Sequence, residues 1–163
     1  MLPTGIDELD ARLLVAISRA PRAGVMELAR QLQVARGTVQ ARLDKLQTRG
    51  VVTGFGPDLH MAALGYDVMA FVQLEIAQGH QADVIAHLRN IPEVTEAHTI
   101  TGAGDLHCRV VARTNEHLDQ VLNEVIDVAG IMRTSTQIAL TEQIQMRTLP
   151  LVEQLIEETK TES

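Results

Sequence analysis

Between residues 6 and 50, apolar side chains recur at helical spacing in three short runs, with breaks so brief that the runs must pack on one another. In "IDELDARLLVAISRA", Ile6, Leu9, Leu13 and Ile17 fall three, four and four residues apart and so share one helix face. Asp7 suits the N-cap, Asp10 lies in the first turn where the helix dipole favours an acid, and Pro21 prevents continuation. "VMELARQL" offers Val25, Leu28, Ala29 and Leu32 as the face of a second helix. After the three-residue break "QVA", the run "RGTVQARLDKLQTRG" turns Val39, Leu43 and Leu46 inward and stops at Gly50. Helices this short persist only when packed, and two of them joined by a tight turn against a third make a helix-turn-helix.

The outward side of the third helix is informative. With Val39, Leu43 and Leu46 inward, Gly37, Thr38, Ala41 and Lys45 point away, and Gln40 and Arg42 flank them. From Gln31 to Gly50 the chain carries Arg36, Arg42, Lys45 and Arg49 against the single acid Asp44, although its 163 residues have a net charge of -7. The imbalance is segregated: residues 1–67 hold 8 basic and 7 acidic residues, net +1, whereas 68–163 hold 6 and 14, net -8. Only the first segment is suited to a polyanion. Small and polar outward side chains admit a helix to the major groove, and basic ends bond phosphates. The plainer reading of the same charges is a solvated face on a structural trihelix. The β-prone "GVVTGFGPDL" that follows reads as a wing or linker strand and favours the nucleic-acid reading.

From Asp67 the period changes. "DVMAFVQLEI" alternates Val68, Ala70, Val72, Leu74 and Ile76, the signature of a half-buried strand. "QADVIAHLRNI" is a helix with Val84, Ile85, Leu88 and Ile91 inward. "VTEAHTIT" and "LHCRVVAR" are strands joined through "GAGD", a turn of two glycines and an Asp. "NEHLDQVLNEVIDVA" is a helix capped by Asn115 with Leu118, Val121, Leu122, Val125 and Ile126 inward, and "IMRTSTQIALTEQIQM" closes as a long strand. The order βαββαβ is that of a ferredoxin-like split βαβ. RNA-recognition modules share it, but they stack bases on aromatic platforms; these strands carry one aromatic, Phe71, in a segment of net -8.

Other classes find little support. The core must be built from aliphatic residues, because Phe55, Tyr66 and Phe71 are the only aromatics. No apolar run approaches a membrane span, and the acidic start "MLPTGIDELD" is unlike a signal peptide, so a cytoplasmic, membrane-free location is expected. The single Cys108 permits no intrachain disulfide. His60, His80, His87, His98, His107 and His117 form no compact metal pattern. No phosphate loop, nucleophile elbow or carboxylate pair is present, so neither catalysis nor a cofactor is expected.

"IDELDARLLVAI", "ELARQLQVARGTVQARLDKLQTRGVVTGF" and "ALGYDVMAFVQLEI" together resemble the Lrp/AsnC, or feast/famine, regulators. Val39, Arg42, Leu43, Leu46, Gly50, Val51, Val52, Gly54 and Phe55 match the family's recognition helix and linker strand, and Ala35 departs where Ser usually caps that helix. The resemblance implies an α+β chain: a winged helix-turn-helix over 1–50, a linker strand or wing over 51–67, a ferredoxin-like RAM domain over 68–148 and a tail over 149–163. That tail could add an amphipathic turn through Leu151, Val152, Leu155 and Ile156. The resemblance further implies a homodimer assembling to an octamer, a near-palindromic double-stranded DNA site, and an amino-acid or similar effector bound between subunits. Arg36, Lys45 and Arg49 are the expected phosphate contacts, and Thr38, Gln40 and Arg42 the expected base readers. "TGAGDLHCRV" matches the family's hairpin at Thr101, Gly102 and Asp105, with Gly104 where an aromatic is common. The hairpin's N–H groups and the Asp105 carboxylate suit a zwitterion, with Thr134, Ser135 and Thr136 as further lining, although the same residues also suit a ligand-free turn and strand. Two alternatives remain: an amino-acid-sensing or assembly protein that binds no DNA, and a sirohaem-decarboxylase-like enzyme, for which His60 is the residue to inspect.

Overall fold

The structure, a computed structural model, describes residues 5–161. Its elements are α1 (Glu8–Arg19), α2 (Val25–Leu32), α3 (Arg36–Thr48), β1 (Val68–Ile76), α4 (Gln81–Leu88), β2 (Val94–Thr99), β3 (Leu106–Ala112), α5 (Asn115–Ile126), β4 (Ile131–Ala139) and α6 (Leu149–Thr161). They divide into two compact units: one runs to Pro57 and resumes at Ile144, and the other is Asp58–Gln143.

In the first unit α1 starts with a reciprocal cap. The Asp10 amide donates to Asp7 Oδ1 at 2.9 Å and the Asp7 amide donates to Asp10 Oδ2 at 3.3 Å, which satisfies two N–H groups that the helix leaves open. α2 ends at Gln33, whose left-handed φ of 59° makes the turn into α3. No side chain caps α3, because Ala35 stands at its N-cap. Leu13, Leu28, Val39 and Leu46 fill the centre of this unit, ringed by Leu14, Ala16, Leu32 and Leu43. Burial on α1 is wider than the expected stripe: Ala11, Leu13, Leu14 and Ala16 are buried, whereas Leu9 and Ile17 are half-buried. The reason lies in α6, which packs on α1 from a further side. Val152 reaches the same core, and Arg19 Nη2 donates to Glu153 Oε1 at 2.6 Å. The segment expected to add one amphipathic turn is thus a 13-residue helix.

The second unit is a four-stranded sheet of order β2-β3-β1-β4, antiparallel throughout, the ferredoxin-like arrangement. Ala70, Val72 and Leu74 are fully buried and pair with Val110, Cys108 and Leu106. Val84 and Leu88 of α4 and Leu118, Val121 and Val125 of α5 close the same cluster. Four details depart from expectation. Thr114, not Asn115, caps α5, accepting from the His117 amide at 3.1 Å. Ile126 ends α5 exposed, one residue past the packed face. β4 stops at Ala139 because its partner Met69 lies at the start of β1 and no ladder continues beyond it. Residues 51–67 form no strand, only a single 3₁₀ turn at Ala62–Leu64; an extended segment becomes a strand only beside a ladder partner, and the sheet pairs β1–β4 alone.

Candidate functional site

On α3 the three inward residues are buried, and Arg36, Gly37, Thr38, Gln40, Ala41, Asp44 and Lys45 are exposed. The helix therefore presents the small, polar and basic face that its periodicity indicates. Gln40 does not stand alone on it, for its Nε2 donates to Asp44 Oδ1 at 2.7 Å. Arg49 lies at the helix end, where Nη1 donates to the Gly5 carbonyl at 2.8 Å.

Arg42, expected as a base reader, is engaged by two acids at the start of α1. Its Nη1 lies 2.6 Å from Asp7 Oδ2 and 2.6 Å from Asp10 Oδ1, and its side chain is only 26% exposed. The guanidinium is turned toward the start of α1 and ties α3 to it. Burial works against an ionised Asp7, but hydrogen bonds from Arg42 and the Asp10 amide, with the charge of Arg42, outweigh it and hold the carboxyl below its ordinary range. Asp10 is 0% exposed, and its partner Arg42 supplies the compensation a buried carboxylate requires. Sequence reasoning treated Asp10 as a first-turn acid. The available signal was its place three and four residues before Leu13 and Leu14, on the packed face, where an acid survives only if paired.

The effector candidates separate into two groups. The hairpin after β2 is fastened to the end of β1: the Asp105 amide donates to the Leu74 carbonyl at 2.8 Å, and Asp105 Oδ2 accepts from the Ile76 amide at 2.6 Å. That second bond satisfies β1 where its register against β4 shifts, between Glu75 and Ile76. Thr101 and Gly102 are exposed, and Gly102 has a φ of 110°, which only glycine adopts readily. Gly104 is buried, with the Leu74 carbonyl oxygen 3.3 Å from where a Cβ would stand. Thr134 pairs with Leu74, the residue that binds Asp105, and Thr136 pairs with Val72 on the same face. Ser135 pairs with Gln73 and faces the opposite side, so β4 alternation divides this trio.

The remaining reactive groups are structurally engaged. His60 Nδ1 accepts from the Ala63 amide at 3.3 Å beside the 3₁₀ turn. Burial pushes the Cys108 thiol up to about 11, far from a reactive thiolate. His98 and His107, nine residues apart in sequence, are direct partners across β2 and β3. No group of three His, Cys, Asp or Glu converges as a metal site among the described residues, and no helix among them is long and apolar enough to cross a membrane.

Comparison with known proteins follows the two segments. Residues 6–47 match the AsnC-type helix-turn-helix domain, and residues 69–149 match the Lrp/AsnC ligand binding domain. The regulatory protein AsnC of Escherichia coli (strain K12) is 34% identical over 146 residues, covering 88% of this chain and 95% of its own. The solved structure of E. coli AsnC superposes with a TM-score of 0.83 at 31% identity, covering 89% of this chain and 99% of that one. A feast or famine regulatory protein from M. tuberculosis, solved in complex with L-methionine, superposes with a TM-score of 0.80 at 27% identity, covering 88% and 98%.

Proposed function

Because this chain belongs to the Lrp/AsnC family of transcriptional regulators, we propose that α3 reads double-stranded DNA through Arg36, Thr38, Gln40 and Lys45, with Arg49 beside the helix end, and that Arg42 acts from behind as a positioning residue. The exposed basic and polar face of α3 in a chain of net charge -7 is the observation that carries this reading. Arg36, Lys45 and Arg49 make phosphate contacts, while Thr38 and Gln40 face base edges. One helix reads too few bases to be selective, so a homodimer engages two half-sites about one turn, or a multiple, apart. The protein is a cytoplasmic, non-enzymatic regulator in this account. Its partners are a near-palindromic operator, an amino acid or related effector, and further copies of itself up to an octamer.

Anisotropy titration against operator DNA at several salt concentrations tests the head. Arg36→Ala or Lys45→Ala should weaken binding and each lower the log–log salt slope by about 0.9. Two unchanged slopes would remove this face from the interface.

The effector reading rests on the hairpin. Since Asp105 Oδ2 is committed to the Ile76 amide, Oδ1 remains for an ammonium group, while the bare backbone at Gly102 suits a carboxylate. The complex of a 27% identical relative with L-methionine supports this ligand class. Asp105→Asn keeps an acceptor for Ile76 and removes the charge, so calorimetry against an amino-acid panel should show affinity reduced at least roughly tenfold. An unaltered affinity would take Asp105 out of the site.

A further inference from the structure

The one acid on the recognition helix is Asp44, and the roles above leave it unused. It lies one turn after Gln40, on the outer face with Gly37 and Ala41. Gln40 Nε2 donates to Asp44 Oδ1 at 2.7 Å, both side chains being exposed. A carboxylate accepts only, so the bond fixes which way the carboxamide faces: nitrogen toward Asp44, Oε1 away. No other bond engages either side chain among the described residues.

We propose that Gln40 and Asp44 form one reading unit that selects a base carrying an exocyclic amino group in the major groove, adenine or cytosine, and rejects guanine and thymine at that position. This rests on the DNA-binding reading above. The pair leaves two acceptors open, Gln40 Oε1 and Asp44 Oδ2, against one remaining N–H of Gln40. Adenine N6 and cytosine N4 donate to such a surface, whereas guanine offers O6 and N7 and thymine offers O4, all acceptors that meet the carboxylate unfavourably. The charge also forbids an approach to phosphate, which directs this part of α3 into the groove. Specificity here arises as much from repulsion of wrong bases as from attraction of the right one. An internal helix staple is the competing account, and it gives no reason for a carboxylate on the face that meets a polyanion.

Selection of binding sites from a randomised duplex library, using the full chain, tests the pair. The parent should recover a motif with adenine or cytosine at one position of each half-site, favoured roughly 5- to 150-fold. Asp44→Ala should flatten that position alone and bind random DNA more tightly. Asp44→Asn, which keeps shape and an acceptor for Gln40 while adding donors, should move the preference toward guanine or thymine, and guards against a folding artefact. An identical motif from parent and both variants would overturn the reading unit and leave the regulator standing. Failure of the parent to recover any motif would overturn the DNA-binding reading itself.

Discussion

Arg42→Ala should strongly destabilise the N-terminal unit while leaving DNA electrostatics almost unaltered in the folded protein. The substitution strands Asp10, which is fully buried and receives the guanidinium at 2.6 Å. Removing one partner of a buried pair typically costs about 3 to 5 kcal/mol; with Arg42 itself 26% exposed, the lower end is expected. For a unit of this size that lowers the thermal midpoint by about 15 °C, read by circular dichroism, where α1, α2, α3 and α6 dominate. Pairing Arg42→Met with Asp10→Leu should recover much of the loss, since no charge is then left buried. Acid should act on the same cluster. Asp7 has a folded pKa below its ordinary value of 3.8, so its contribution is complete above that value and disappears as pH falls through the depressed one. A midpoint within a degree of the parent, with a reduced salt slope of DNA binding, would instead return Arg42 to the interface.

The second large effect is expected at Gly130. Its φ is 104°, outside the range L-residues use, and an added Cβ would stand 2.3 Å from His80 Cβ and 2.5 Å from Cγ. Backbone strain of this kind costs about 1 to 3 kcal/mol, and the overlap adds to it because His80 opens α4 and cannot withdraw freely. The Gly130 carbonyl also accepts from the Ala77 amide at 2.7 Å, so the strand entrance cannot simply swing away. Gly130→Ala should therefore destabilise Asp58–Gln143 by about 3 kcal/mol or more, measured by urea unfolding. Adding His80→Gly should remove the overlap and leave the dihedral strain, restoring part of the loss. Full restoration would show that crowding alone matters at Gly130; no restoration would show that only the backbone does.

What the sequence disclosed was what periodicity can disclose. The inward residues of α3 and the alternation along β1 were legible because each depends on neighbours in the chain, and the family resemblance followed from the same residues. The fate of Arg42 was hidden because its partners lie 32 and 35 residues away, and a helical wheel shows direction without showing what stands in that direction. Ser135 was grouped with Thr134 and Thr136 by composition, and only strand alternation separates them. Residues 51–67, expected as a wing or linker strand, have the β-propensity but form no strand, because propensity alone cannot supply a ladder partner. α6 was underestimated since amphipathicity over so few residues does not reveal a distant core.

The return of α6 to the first unit orders events during synthesis. Residues up to Pro57 leave the ribosome first, yet the helix that completes their packing arrives after the whole of Asp58–Gln143 has been made. The sheet unit can close while the head still lacks Val152 and the Glu153 partner of Arg19. Loss of α6 would accordingly weaken α1, near the start of the sequence, while leaving the later sheet unit its own core.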